Sequence, residues 1–134
     1  EMEYPLRVHE YALVEDSGGA GRHRGGLGLR RVVSPVGHDC VFNGVGERFA
    51  NQPWGLDGGE PGACGRFLLR RADGTLERLA DKTGEVSMTP TERVIVETPG
   101  AGGHGRPAER TPDARLEDRR SGKFSQRYLD RFYS

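Results

Sequence analysis

The stretch RVIVETPGAGGHGRP, residues 93 to 107, joins the clearest strand signal of the chain to its densest run of glycine. Its first half places Val94, Ile95 and Val96 in succession, and β-branched side chains favour extended strands. Its second half contains the spacing G-x-G-x-x-G, which in dinucleotide-binding folds forms the turn between a strand and a helix. The stretch therefore predicts a strand that ends either in a phosphate-binding turn or in a tightly packed loop.

A phosphate-binding turn requires a helix that begins within the glycine run, because the phosphate accepts hydrogen bonds from the free N–H groups of that helix. Pro107 follows Gly105 closely, and the first helix signal is the pair Thr111 and Pro112. No strand pattern follows, and no glycine precedes a Lys-Ser or Lys-Thr pair. These patterns disfavour a dinucleotide site or a Walker A site, and they favour an architectural loop.

The composition is that of a single domain with a lean core. The chain has 134 residues, of which 34% are hydrophobic and 21 are glycine. Its 20 basic and 20 acidic residues give zero formal net charge, which removes any general attraction to nucleic acid or to an anionic membrane. No apolar run is long enough for a membrane helix, and the start lacks a signal-peptide pattern. We therefore expect a cytoplasmic protein with no nucleic acid or membrane partner, in which Cys40 and Cys64 are reduced thiols.

Strand signals recur before the opening stretch. Residues 6–14 alternate between apolar and polar side chains for most of their length. This alternation predicts that four side chains point into the core: Leu6, Val8, Tyr11 and Leu13. The pair Asp73-Gly74 predicts a hairpin turn between two further strands. The predicted strands lie at residues 6–14, 27–33, 40–45, 66–70, 76–79 and 93–98.

Helix signals follow the glycine run. Thr111 before Pro112 predicts a helix N-terminus, and Ser125 can cap a second helix. The second helix carries its apolar side chains at helical spacing: Tyr128, Leu129, Phe132 and Tyr133. The fold class is therefore predicted to be α+β, a β-rich domain of about six or seven short strands with two short C-terminal helices. Residues 1–134 form one domain in this interpretation, with a β-rich part at 1–106 and a helical tail at 107–134.

The spacing of reactive side chains does not predict a complete catalytic or metal site. The histidines at positions 9, 23, 38 and 104 show neither H-x-x-x-H nor H-E-x-x-H spacing. No serine lies in a G-x-S-x-G turn. We therefore predict no metal site and assign no catalytic residue. Trp54, between Pro53 and Gly55, is interpreted as an anchor for the core or for an interface.

Four ordered motifs give the chain a resemblance to a known family. They are YPLRV at 4–8, DSGGAGRHRGGLG at 16–28, PWGLDGG at 53–59 and TPGAGGHG at 98–105. Together they resemble the C-terminal part of the hydantoinase B family, and the residues from Arg110 onward resemble its closing helices. The family includes B-type subunits or domains of ATP-dependent hydantoinases and 5-oxoprolinases, and large subunits of acetone and acetophenone carboxylases. Ala101, His104 and Arg106 depart from the usual glycine, aromatic and acidic residues of the pattern.

The resemblance implies that the chain is the C-terminal segment of a longer B-type chain. An A-type partner subunit would use ATP to phosphorylate a carbonyl-derived oxygen, and the B-type chain would complete the hydrolysis of a cyclic amide. ATP and a divalent metal ion are implied for the parent complex, and no cofactor is expected within this segment, which we expect to be inactive alone. Two alternatives stay open: a part of an ATP-dependent ketone carboxylase, and an assembly module without chemistry.

The glycine-rich loops are the candidate phosphate- or substrate-facing parts of this segment. Backbone N–H groups of Gly18, Gly19 and Gly21, with Arg22 or Arg24, are predicted to suit an anion. The alternative is that the loops pack this segment against the rest of the B-type chain. The candidate residues are Ser17, Gly18, Gly19, Gly21, Arg22, Arg24, Gly102, Gly103 and His104.

Overall fold

The computed structural model describes residues 3–134 and contains two antiparallel sheets and two α-helices. The strands are β1 (Leu6–Leu13), β2 (Leu29–Pro35), β3 (Cys40–Val45), β4 (Arg66–Arg70), β5 (Leu76–Arg78), β6 (Lys82–Met88) and β7 (Arg93–Glu97). A 3-10 turn at Pro107–Glu109 precedes α1 (Pro112–Arg120) and α2 (Gln126–Tyr133). The predicted α+β class is confirmed.

The strand of the opening stretch is central to the larger sheet. This sheet has the order β1-β2-β7-β4-β5, so β7 pairs with β2 on one side and with β4 on the other. A strand with neighbours on both sides and cover on both faces needs a continuous apolar run, which Val94, Ile95 and Val96 supply. The second sheet pairs β3 with β6. Strand β6 is not among the six strands located by the sequence pattern.

The main core lies between the two sheets. Its buried side chains are Phe49, Phe67, Leu69, Leu79, Met88 and Val94. Phe67 meets the ring of Phe49 at 4.7 Å and that of Phe42 at 5.4 Å, both edge to face. On the opposite face of the larger sheet, Val32, Leu68 and Ile95 form a smaller buried cluster. Aromatic contacts therefore fill much of a core that has few aliphatic residues.

Strand β1 differs from its sequence prediction in burial. A bulge between Val8 and Glu10 shifts its alternation by one residue, so that Leu6, Val8, Tyr11 and Leu13 do share one face. These four side chains are 38–61% exposed, so the prediction that they point into the core is wrong. The reason is position: β1 is the edge strand of the larger sheet, and it pairs with β2 alone.

The two helices begin where the capping residues predict. Thr111 accepts a hydrogen bond from the N–H of Ala114 at 3.4 Å, and Ser125 accepts one from that of Tyr128 at 3.2 Å. The apolar side chains of α2 form a second core with Phe124, which precedes that helix, and with Ala20 of the loop at 16–28; the members from α2 are Tyr128, Leu129 and Tyr133. No helix of residues 3–134 is long and apolar enough to cross a membrane.

Glu97, at the end of β7, joins three strands through its buried carboxylate. It accepts hydrogen bonds from Arg30 of β2 and Arg66 of β4, the two residues that flank it in register. Burial alone would raise the pKa of Glu97, but the hydrogen bonds from the two guanidinium groups outweigh it and hold the pKa below its ordinary value.

The lowered pKa of Glu97 predicts a loss of stability in acid. The stabilisation is complete above the ordinary glutamate pKa of 4.5 and disappears as the pH falls through the lower folded-state value. Glu97→Gln should cost about 1–3 kcal/mol at pH 7 and should weaken the dependence of stability on acid pH. Urea unfolding between pH 7 and pH 3 measures both effects. The exposed Glu85→Gln is the control, and equal slopes for Glu97→Gln and the parent chain would contradict the prediction.

Candidate functional site

Three glycine-rich loops meet beside the helices and form one layer of backbone. The loops span residues 16–28, 53–62 and 98–105, and we call them the glycine layer. The third loop lies between the other two: Gly19 donates to the carbonyl of Ala101 at 2.9 Å, and Gly103 donates to that of Glu60 at 2.9 Å. The first two loops also touch, since Glu60 donates to Ala20 at 2.8 Å. Segments that are distant in sequence are therefore cross-linked through their backbones.

Glycine is required in this layer because the chains approach more closely than a side chain permits. A Cβ atom on Gly103 would lie 2.1 Å from the carbonyl oxygen of Ala20, and one on Gly102 would lie 1.9 Å from that of Trp54. Neither glycine has a positive φ, so the constraint at these positions is space. Gly105 does have a positive φ of 73°, and a Cβ atom added to it would meet the side chain of Arg22 at 3.0 Å.

The described structure agrees with the sequence argument against a phosphate-binding turn in the G-x-G-x-x-G segment. The first α-helix after Gly105 begins at Pro112, with a 3-10 turn in between. The amide of Gly100 donates to Ala63, and the amide of Gly105 donates to Leu56. A phosphate would have to break these internal hydrogen bonds to bind here.

Helix α2 holds the first loop of the glycine layer through two tyrosine hydroxyls. Tyr128 donates to the carbonyl of Gly18 at 2.6 Å. The hydroxyl of Tyr133 accepts a hydrogen bond from the N–H of Gly21 at 3.0 Å and donates one to the carbonyl of Gly21 at 3.2 Å. Burial raises the pKa of both tyrosines, so the hydroxyls remain protonated donors at neutral pH.

The predicted anion-binding amides are largely used within the chain. Gly19 and Gly21 donate to Ala101 and to Tyr133, as described above. Ser17 is 2% exposed; its hydroxyl donates to the carbonyl of Val14 at 2.6 Å and accepts from the N–H of Gly28 at 2.8 Å. This part of the loop is therefore internally satisfied. Contact between the loops and a phosphorylated group stays a prediction.

Arg24 is held in a buried ion-pair cluster that sequence reasoning missed. Its guanidinium contacts Asp118 of α1 at 2.8 Å, and Arg110 contacts the other carboxylate oxygen at 2.7 Å. Asp118 is 1% exposed, and Phe124 lies under the guanidinium of Arg24 at 5.0 Å. Within the charged run of α1, nothing in the pattern distinguishes Asp118 from its exposed neighbours. The side chain of Arg24 therefore joins the glycine layer to the helical tail.

The exposed end of the glycine layer brings together the remaining candidates. His23 and His104 exchange backbone hydrogen bonds of 2.9 and 2.8 Å, which places their side chains on one face with ring centroids 6.0 Å apart. Asp57, missed by sequence reasoning, lies 2.8 Å from Nε2 of His104 and has a φ of 49°. Arg22, beside His23, is also exposed. Among residues 3–134, no three His, Cys, Asp or Glu side chains meet in a way that could hold a metal ion.

Trp54 lies outside the core, so the part of its interpretation that made it a core anchor is wrong. The indole is 62% exposed, and the guanidinium of Arg48 covers it at 4.1 Å from the ring centroid. The backbone of Trp54, rather than its ring, contacts the glycine layer, through the close approach of its carbonyl to Gly102. Its role as an interface anchor stays a prediction.

An open cleft of ≈ 480 Å³ is lined by residues of α2 and of the glycine layer. Its charged lining comes from both sides: Asp16, Glu60, Arg127 and Arg131. The carboxylate of Asp16 accepts hydrogen bonds from the N–H and the hydroxyl of Ser125, the N-cap residue of α2. The cleft therefore carries charges of both signs among apolar residues, and the charge of Asp16 is already engaged by Ser125.

The fold and the loops match known proteins over nearly the whole chain. The model of the Hydantoinase B/oxoprolinase family matches residues 1–107. The caprolactamase beta subunit of Pseudomonas jessenii is 38% identical over 130 residues, which are 93% of this chain and 22% of that subunit. The solved structure of ATP-dependent caprolactamase from Pseudomonas jessenii has a TM-score of 0.73 at 36% identity, covering 96% of this chain and 23% of its own.

A solved structure of nucleotide-free acetone carboxylase shares the fold, with a TM-score of 0.79 at 22% identity over 96% of this chain and 21% of its own. The chain thus spans less than a quarter of the length of each of these proteins. The family model covers most of the chain, including all three loops of the glycine layer and every strand. The chain belongs to the hydantoinase B/oxoprolinase family.

Proposed function

We propose that this chain forms the C-terminal part of the B-type subunit of an ATP-dependent cyclic-amide hydrolase. Membership in the hydantoinase B/oxoprolinase family and 38% identity to a caprolactamase beta subunit support the proposal. The same identity favours a cyclic amide as the substrate over the ketone of a carboxylase. The partners would be the rest of the B-type chain and an A-type subunit that supplies the ATP-dependent phosphorylation.

The internal hydrogen bonding of the glycine layer is the observation that supports the role we propose for this segment, a structural support. Ser17, Gly19 and Gly21 make their hydrogen bonds within the chain, which supports an architectural role for them. Arg22 and His104 are candidates that face solvent. We therefore propose that the glycine layer is a rigid support that presents these two side chains to the phosphorylated intermediate.

The chemistry of the two exposed side chains suits that role. A guanidinium such as that of Arg22 donates paired hydrogen bonds to phosphoryl oxygens. Asp57 orients the ring of His104 through Nε2. Among residues 3–134, no group of three His, Cys, Asp or Glu side chains offers a divalent metal ion its ligands, and the amides of Gly100 and Gly105 in the glycine run are bonded within the chain. We therefore assign both cofactors to other parts of the complex.

The test is ATP-coupled ring opening by the B-type subunit that contains this segment, together with its A-type partner. Caprolactam, hydantoin and 5-oxoproline are the substrates to compare. Arg22→Ala should lower turnover about tenfold or more while assembly is unchanged, because a donor to the developing charge is lost. Arg119→Ala, an exposed arginine of α1, is the matched control.

Two results would contradict parts of this proposal. Unchanged turnover in the Arg22→Ala variant would show that Arg22 does not contact the intermediate. Failure to open any of the three rings, together with bicarbonate-dependent ATP use on a ketone, would indicate the carboxylase alternative instead.

A further inference from the structure

The exposed apolar face of β1 has no role in the site described above. We call the β1 face the surface formed by Leu6, Tyr11, Leu13 and Leu29. All four side chains are at least 38% exposed. The register pairs Leu13 with Leu29 and Tyr11 with Arg31, so these side chains stand on one side of the sheet. Proteins seldom leave contiguous apolar patches in water unless a partner covers them.

The β1 face is continuous with the core between the two sheets. Val33, on the same side of β2, packs against that core. An open cavity of ≈ 270 Å³ lies between the sheets, and its lining includes Leu6, Val33 and Val41. A second cavity of ≈ 190 Å³ is lined by Tyr11, Leu29 and Val96, among others. The core is thus open to solvent along β1, where the small sheet does not cover the larger one.

The opposite side of β1 is polar, so only one side requires a cover. Glu10 contacts Arg30 at 3.1 Å, and Nε2 of His9 lies 2.8 Å from the hydroxyl of Ser34. On the apolar side, the exposed Arg31 lies over the ring of Tyr11 at 4.9 Å. No residue of β1 or β2 on that side is acidic. The partner that fits this face is therefore apolar and carries a carboxylate for Arg31, which a second copy of the same face does not offer.

We propose that the β1 face is the surface on which the rest of a B-type chain packs. The proposal rests on the proposed function, and the lengths of the relatives support it. The matched segment is 22–23% of the caprolactamase sequence and structure, so more than three quarters of those chains lies outside it. The glycine layer has its backbone bonded internally, whereas the β1 face leaves a core uncovered. The β1 face, rather than the glycine layer, is thus the main contact to the remaining chain.

Thiol labelling in the full B-type subunit tests this contact. Cys40 and Cys64 are first replaced with alanine, Leu13→Cys is introduced, and labelling is followed on the peptide that contains position 13. We expect labelling in the native subunit to be at least about tenfold slower than in the urea-unfolded subunit, because thiol reactivity follows exposure. Leu76→Cys is the matched control, since Leu76 is 55% exposed on β5 at the opposite edge of the same sheet.

Labelling after dilution, and without the A-type subunit, identifies what covers the β1 face. Protection that persists on dilution and without the A-type subunit supports the proposal. Protection lost on dilution would indicate a second copy, and protection lost without the A-type subunit would indicate that partner; either result overturns the proposal, as does equal labelling of native and unfolded protein. Labelling needs no ATP or substrate. A subunit that opens no cyclic amide but protects position 13 would therefore contradict the proposed function alone.

Discussion

Replacing Asp118 with alanine is expected to lower the free energy of unfolding by about 3–5 kcal/mol, because it leaves two guanidinium groups without a counter-charge in a largely buried place. Asp118 is 1% exposed, and the side chains of Arg24 and Arg110 are 22% and 10% exposed. The carboxylate also joins the first loop of the glycine layer to α1. We therefore expect the loop and the helical tail to loosen together. Urea unfolding, followed by the fluorescence of Trp54 and by circular dichroism, measures the loss.

The matched control for Asp118 is Glu117→Ala, on the exposed side of the same helix. An exposed helix position of this kind is expected to change stability by no more than about 0.5 kcal/mol. A loss below about 1 kcal/mol for Asp118→Ala would show that the buried ion pairs contribute little. The expected loss also affects how Arg24→Ala is interpreted: reduced turnover in that variant would follow from the weakened layer, so Arg22→Ala is the more direct probe of a phosphate contact.

Gly100→Ala is expected to cost about 3 kcal/mol, near the upper end of the usual penalty for overpacking. The new Cβ would lie 1.8 Å from the carbonyl oxygen of Ser17. That atom is backbone, and Ser17 is buried with its hydroxyl bonded on both sides, so it cannot move aside at low cost. The layer must separate to accept the methyl group. Urea unfolding checks the loss, and hydrogen exchange at the amides of Gly19 and Gly103 should report the separation.

Gly26→Ala is the control for Gly100→Ala. A Cβ on Gly26 meets no atom within 4 Å, and its φ is not in the left-handed range. Alanine at such a position is expected to be neutral or to stabilise by about 0.4–1 kcal/mol, because it restricts the unfolded chain. Equal effects of the two substitutions would contradict the conclusion that close approach selects glycine in this layer.

Strands β2 and β6 differ from the sequence prediction, and the structure gives a reason for each difference. Strand β2 is predicted from residue 27 but begins at Leu29. Leu27 instead packs against the second core with the helical tail, as part of the first glycine-rich loop. Strand β6 escaped detection because Gly84 interrupts it and its exposed side chains are polar. Its pairing with β3, across 36 or more intervening residues, makes it a strand.

What the sequence by itself determined is local in origin. The β-branched run of β7, the caps at Thr111 and Ser125, and the order of the glycine motifs depend on neighbouring residues, and they were sufficient for the fold class and for the family resemblance. Tertiary structure alone decided which residues are buried. Asp118 is buried because Arg24, 94 residues away in sequence, meets it together with the nearby Arg110. The apolar side of β1 is exposed because its strand lies at the sheet edge. Burial and ion pairing depend on which distant segments meet, and a periodic pattern along one segment does not contain that information.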